Sequence, residues 1–248
     1  MNLLTNILNT IGSGATAYIL ASRLRDAKTR PNILAGFQLA ESGAVPFLTK
    51  LSARAATEGD TWLAEKLSIH ATDEKRHGQI FAYGLKQLGK QVISLEERTQ
   101  QQSSEKNNPS PFFSKFYRDY DPADLKPDKI DWLVFMASTY ILELDASKDF
   151  ARMARALPED PQNHRLQQSI LSVAQDETRH AAYLHEAMQR RLPPSEVDTL
   201  VSEWRKRKID AMFAMVEDTI KTGGNSRSLV KDGAPTELES PQTQLVEV

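Results

Sequence analysis

Asp-Glu-Lys-Arg-His, residues 73–77, and Asp-Glu-Thr-Arg-His, residues 176–180, are one pattern written twice in a chain with only five histidines. On a helix, positions i and i+3 share a face, so Glu74 points with His77 and Glu177 with His180. A carboxylate one turn from an imidazole can hold a metal ion or relay a proton. Each pentad also follows a glutamate set in apolar sequence: Glu41 within FQLAESGAVPFL (37–48) and Glu143 within FMASTYILELDA (135–146).

The spacing makes this an internal repeat. Glu41 and Glu143 are 102 residues apart, and both Glu74–Glu177 and His77–His180 are 103 apart. Two antiparallel helices joined by a short turn bring such positions level, and the hairpin is written twice. Four carboxylates facing one another in an apolar helical core are untenable unpaired. With two neutral imidazoles they carry a charge of −4, which two divalent cations neutralise. Oxygen-rich donors with one imidazole per metal suit iron or manganese better than zinc. One Glu-x-x-His is a weak signal, but two in register, each after a core glutamate, are specific. The bland alternative, charged helix faces laced by i,i+3 pairs, leaves Glu143 unexplained.

The elements that must position these residues are all helical. Helix formers and apolar periodicity predict helices at about 4–27, 31–57, 60–89, 129–157, 163–191 and 194–221, and no segment reads as a strand. Residues 91–128 are polar, then Pro-punctuated, with Phe112, Phe113, Phe116, Tyr117 and Tyr120 in the second half; this suits a long crossover between hairpins. The expected organisation is an N-terminal helix packed on the bundle (1–30), a bundle over 31–221 with its crossover at 91–128, and a disordered tail over 222–248.

The motifs DEKRHG and DETRHA resemble those of the ferritin-like di-iron carboxylate superfamily, over about 31–90 and 129–191. They are most similar to its O2-activating desaturase and monooxygenase branch: acyl-carrier-protein desaturases, bacterial multicomponent hydroxylases and porphyrin-ring cyclases. No particular subfamily is identified. The resemblance implies an all-α, ferritin-like four-helix bundle with a long crossover plus extra N- and C-terminal helices. It implies two iron ions, with manganese fitting one or both positions. Glu74 and Glu177 would bridge them, Glu41 and Glu143 would be terminal ligands, and His77 and His180 would each bind one ion. Asp73 and Asp176 would hydrogen-bond a ligating histidine from the opposite helix. Arg76 and Arg179 either pair with those aspartates or are solvated.

Other residues carry less. His70 lies one turn before Glu74, but Val173 stands at its counterpart, so it reads as a core or supporting histidine rather than a seventh ligand. Tyr140 and Tyr183 fall on the metal-facing sides, where packing competes with a redox or hydrogen-bonding role. His164 and His185 read as surface residues. Pro46 removes a helical hydrogen bond just after Glu41. The basic run EWRKRKID (203–210) reads as a solvated face, with a docking patch as the lesser alternative.

Composition narrows the function. With 31 basic and 33 acidic side chains the net charge is −2, which argues against a nucleic-acid partner. The lack of cysteine excludes disulfides, iron–sulfur clusters and a rubredoxin-type centre. No segment reads as a signal peptide or an integral membrane span, so a cytoplasmic location is expected. The expected function is an O2-dependent di-iron oxidoreductase, an oxygenase or desaturase acting on a small or hydrophobic organic substrate. An external ferredoxin- or reductase-type donor would supply electrons, and a homodimer is left open. The alternatives are a rubrerythrin- or ferritin-like ferroxidase or peroxide scavenger, and a non-catalytic metal-binding scaffold.

Overall fold

Proline marks where helices begin in this chain. Helices α1 (Arg30–Thr57), α3 (Pro111–Phe116), α5 (Pro161–Gln189) and α6 (Pro194–Lys221) all carry proline within their first two residues. There its fixed φ suits the helix and its missing N–H costs nothing. Helices α2 (Thr61–Gln87) and α4 (Trp132–Ala156) complete the long elements. The computed structural model describes residues 18–94, 97, 110–221 and 228–233, and these are overwhelmingly helical. The long helices fall within three residues of their expected bounds. Of the expected helix at 4–27, residues 18–25 are helical and the part before 18 lies outside the described residues.

The chain forms two compact units. The first comprises residues 20–106, 150–173 and 227–248, and the second 1–19, 107–149 and 174–226. Helices α4 and α5 each contribute one part to either unit.

In the first unit α1 turns into α2 through Gly59, whose φ of 86° lies in the left-handed region that glycine adopts without strain. The Asp60 carboxylate then accepts from the Leu63 N–H at 3.0 Å and caps α2. Glu41 and His77 each lie 18 residues from Gly59, so this turn sets them level. Phe37, Phe81 and Phe150 form a ring triplet with centroids 5.1 to 5.6 Å apart. Helix α1 runs unbroken through Pro46.

Two corrections concern strands and the tail. Within the segment expected to be disordered, residues 230–232 form β2, which pairs antiparallel with β1 (Lys90–Val92). Leu229 anchors the ribbon: its N–H donates to the Asn32 side chain and its carbonyl accepts from Ile93, both at 2.9 Å. Three-residue strands carry no readable alternation, so the sequence held no sign of them. The remainder of the tail, 222–227 and 234–248, lies outside the described residues, as does most of the polar half of the crossover.

In the second unit the short helix α3 packs on α6. Phe116 and Trp204, both fully buried, meet at 5.1 Å, and Tyr117 and Tyr120 add further ring contacts to Trp204. The aromatic half of the crossover is thus a packed element. The basic run at 203–210 is not simply a solvated face. Arg207 lies over the Trp204 and Tyr120 rings and bonds Glu203 and Asp119. Lys208 is buried in an ion pair with Asp145. Its charged neighbours Arg205 and Lys206 gave no hint that 207 and 208 point inward.

Candidate metal centre

The first unit gathers Glu41 from α1 with His70, Glu74 and His77 from α2, all buried. One donor atom each from Glu41, Glu74 and His77 lie within 4.8 Å of one another. His77 turns Nδ1 toward both carboxylates, 3.3 Å from Glu41 Oε2 and 3.6 Å from Glu74 Oε1. His70 approaches the same Glu74 oxygen with Nε2, at 3.2 Å.

A close approach of backbones makes this meeting possible. A Cβ added at Gly78, next to His77, would collide with the hydroxyl of Ser42, next to Glu41. The Ser42 Cβ and backbone nitrogen would stand at 3.5 Å, an ordinary contact, so a larger residue at 78 asks only that the Ser42 hydroxyl turn aside, and the ligand candidates follow one residue away on each helix.

Burial by itself would raise the Glu74 carboxyl. Hydrogen bonds with His70, His77 and Glu41 outweigh that and hold it below the usual carboxylate range. Glu74 is therefore ionised at neutral pH, although it is 5% exposed. One turn before Glu41, the side-chain oxygen of Gln38 is buried and accepts no hydrogen bond among the described residues. The sequence offered a faint sign of it, since Gln38 is the polar position three residues before Glu41.

The second unit holds the other repeat. Glu177 and His180 are at most 2% exposed, with His180 Nδ1 at 3.2 Å from Glu177 Oε2. Glu143 on α4 has its Oε2 at 3.9 Å from the same nitrogen. Buried Asp176 pairs with the exposed guanidinium of Arg179. In the first repeat Asp73 is half-buried and Arg76 donates to Ser172 Oγ at 3.1 Å. The expected arginine–aspartate pairing is seen in the second copy.

Tyr183 is buried. Tyr140 packs at a tilt against His185 with ring centroids 5.3 Å apart, and His185 is half-buried rather than a surface residue, while His164 is exposed. Burial raises the Tyr140 phenol above its ordinary value. Ser147, one turn past Glu143, spends its hydroxyl on the Leu144 carbonyl.

Each unit therefore pairs one glutamate with a Glu-x-x-His in near contact, all buried except the half-buried Glu143, with Nδ1 of the histidine facing the carboxylates. Two carboxylates and one imidazole per half make a donor set that could hold a divalent metal ion. No helix among the described residues is long and apolar enough to cross a membrane. Compared with protein-family models, curated proteins and solved structures, the chain matches none.

Proposed function

We propose that the two repeats close into a ferritin-like four-helix bundle that holds two iron ions, and that the protein is an O2-dependent oxidoreductase. Manganese fits either position by the same donor argument. Glu41, Glu74 and His77 would hold one ion and Glu143, Glu177 and His180 the other, with Glu74 and Glu177 shared between them. The observation that carries the reading is that both copies of a Glu plus Glu-x-x-His set are gathered at near-contact distances, with little or no exposure. When bound, two such ions supply a centre that reduces O2 and oxidises a C–H bond of an organic substrate.

The chain's residues would do the rest. Glu74 and the other three carboxylates would supply the negative charge that two divalent cations neutralise. The imidazoles present Nδ1 to the carboxylates. Phe37 lies one turn before Glu41 and Phe81 one turn after His77, so the Phe37–Phe81–Phe150 triplet forms an apolar wall near the ligand level. Such a wall excludes water and suits a hydrophobic substrate, which favours an oxygenase or desaturase over a ferroxidase. With no cysteine in the chain, the electrons would come from an external ferredoxin- or reductase-type donor.

Anaerobic iron loading followed by elemental analysis, then exposure to O2, a reductant and extracted metabolites with mass-spectrometric detection, tests the proposal. Close to two irons per chain and a substrate that gains oxygen or loses two hydrogens is the expected result. One zinc per chain with no oxygen consumption would sink it. Peroxide removal or iron oxidation without any organic product would point to the scavenger or ferroxidase alternative.

A further inference from the structure

We propose that Arg205 and Tyr140 form an anion subsite that holds the carboxylate of an organic acid one helical turn from Glu143. The inference rests on the oxidoreductase reading above and deepens it, by naming the substrate as a carboxylic acid.

The observation behind it is a charge without a counter-charge. Arg205 on α6 is half-buried, and its Nε is shut off from solvent with no acceptor among the described residues. A guanidinium stays charged at every working pH, and folded proteins leave few buried donors unpaired. The neighbouring cations of α6 supply the control. Lys208 spends its charge on Asp145, and Arg207 spends its own on Glu203 and Asp119. One Nη of Arg207 also lacks an acceptor, but that guanidinium has its two carboxylates and lies over the Trp204 and Tyr120 rings. Arg205 has no ion pair among the described residues.

Helix geometry says where the unspent charge faces. Arg205 and Lys208 are three residues apart and share a face of α6, and Lys208 meets α4 at Asp145. Arg205 therefore looks toward α4 as well. Tyr140 on that helix senses it: burial raises the phenol, the Arg205 charge pulls it down and the Asp145 charge pushes it up. Both charges thus lie within electrostatic reach of the ring, and the phenol keeps its proton and can donate it in a hydrogen bond. His185 packs against the same ring. The place offers one positive charge and one O–H, beside an Asp145–Lys208 pair that is already neutral. A singly charged carboxylate balances it, whereas a phosphate dianion brings one charge too many. Tyr140 precedes Glu143 by three residues, about 4.5 Å along α4, so an acid held here needs only a short hydrocarbon chain to reach the level of that candidate ligand.

The test takes octanoate as the probe and octanamide as its neutral counterpart, on the full chain. NMR of the metal-free protein follows the arginine Nε–H signals, with that of Arg205 identified by Arg205→Lys. Calorimetry on the anaerobically iron-loaded protein gives the affinity. Octanoate should shift the Arg205 signal and octanamide should leave it in place. Arg205→Gln should weaken octanoate at least about tenfold, the loss of a charge-assisted hydrogen bond, and Tyr140→Phe about two- to tenfold. A wild-type Arg205 signal that octanoate does not move, which needs no variant to read, overturns the subsite. So does Arg205→Gln binding octanoate as wild type does. Iron stoichiometry and O2 consumption then still judge the oxidoreductase reading by themselves. Inorganic phosphate displacing octanoate at equal concentration would overturn the carboxylic-acid class. Octanoate bound at Arg205 in a chain that takes up no iron would keep the subsite and sink the reading beneath it.

Discussion

Glu41 and His77 meet at 3.3 Å, whereas Glu143 and His180 stand 3.9 Å apart, beyond a hydrogen bond. The residues next to them differ in the same sense. Ser42 and Gly78 flank the closer pair, and Leu144 and Ala181 flank the wider one. Only the first pair of helices has a glycine where the partner helix would strike a Cβ. The first copy also adds His70, where the second has Val173. One ligand vocabulary is thus held by two kinds of packing: a close approach of Gly78 to Ser42 beside a phenylalanine triplet, and a unit that includes a buried ion pair. Duplicated ligands do not imply equivalent positions.

The ion pair is where the second unit is most easily broken. Asp145 and Lys208 are 8% and 9% exposed, so Lys208→Met strands a buried carboxylate. Lys148, 3.8 Å from the same carboxylate, is exposed and offers only a weak, solvated pairing. Urea unfolding should show a loss of about 3–5 kcal/mol, and the double change Asp145→Leu with Lys208→Met should regain most of it. A single variant as stable as wild type would show that the pair is dispensable.

The close approach sharpens the contrast next. Gly78→Ala should cost about 1 kcal/mol or less, because the Ser42 hydroxyl can turn aside, and it should weaken metal uptake to the extent that Ser42 carries its neighbour Glu41 away from His77. Ser42→Gly in the same chain should restore much of both. The mirror change, Ala181→Gly, should cost about 0.5–1 kcal/mol, the ordinary helix penalty of glycine, with metal uptake intact. Equal effects on metal uptake at 78 and 181 would erase the distinction between the two halves.

The smallest effect on metal uptake belongs to the turn that sets the register of the first half. Asp60→Ala removes one cap, worth about 1 kcal/mol or a fall of about 2–4 °C in Tm, while metal stoichiometry stays the same. A change in stoichiometry would mean that the turn, more than the Gly78 contact, fixes the level of Glu41.

Much of this was legible because helical signals are local. Proline at helix starts, apolar periodicity and the Asp60 position follow from neighbours within a turn or two, and the Glu-x-x-His spacing is itself a helical statement. What escaped depended on distant partners. Nothing near Lys208 says that Asp145, 63 residues away, will take its charge inside. Nothing in Lys-Gln-Val or Val-Lys-Asp announces a ribbon between segments so far apart. His70 was visible, but its meeting with the Glu74 oxygen is a rotamer, and sequence does not specify rotamers.

The ribbon gives the first half an unusual timetable. Residues 30–87 form a hairpin of local contacts that can close as soon as they leave the ribosome, with Gly59 at its sealed end. The open end, where Asn32 and residues 90–93 lie, is tied by Leu229 and β2, which are made long after it. A nascent chain therefore carries its Glu41, Glu74 and His77 cluster in a hairpin fastened at one end only, for as long as it takes to synthesise about 140 further residues. During that interval the unfastened end can fray and admit ions that the finished protein would meet through a tied one.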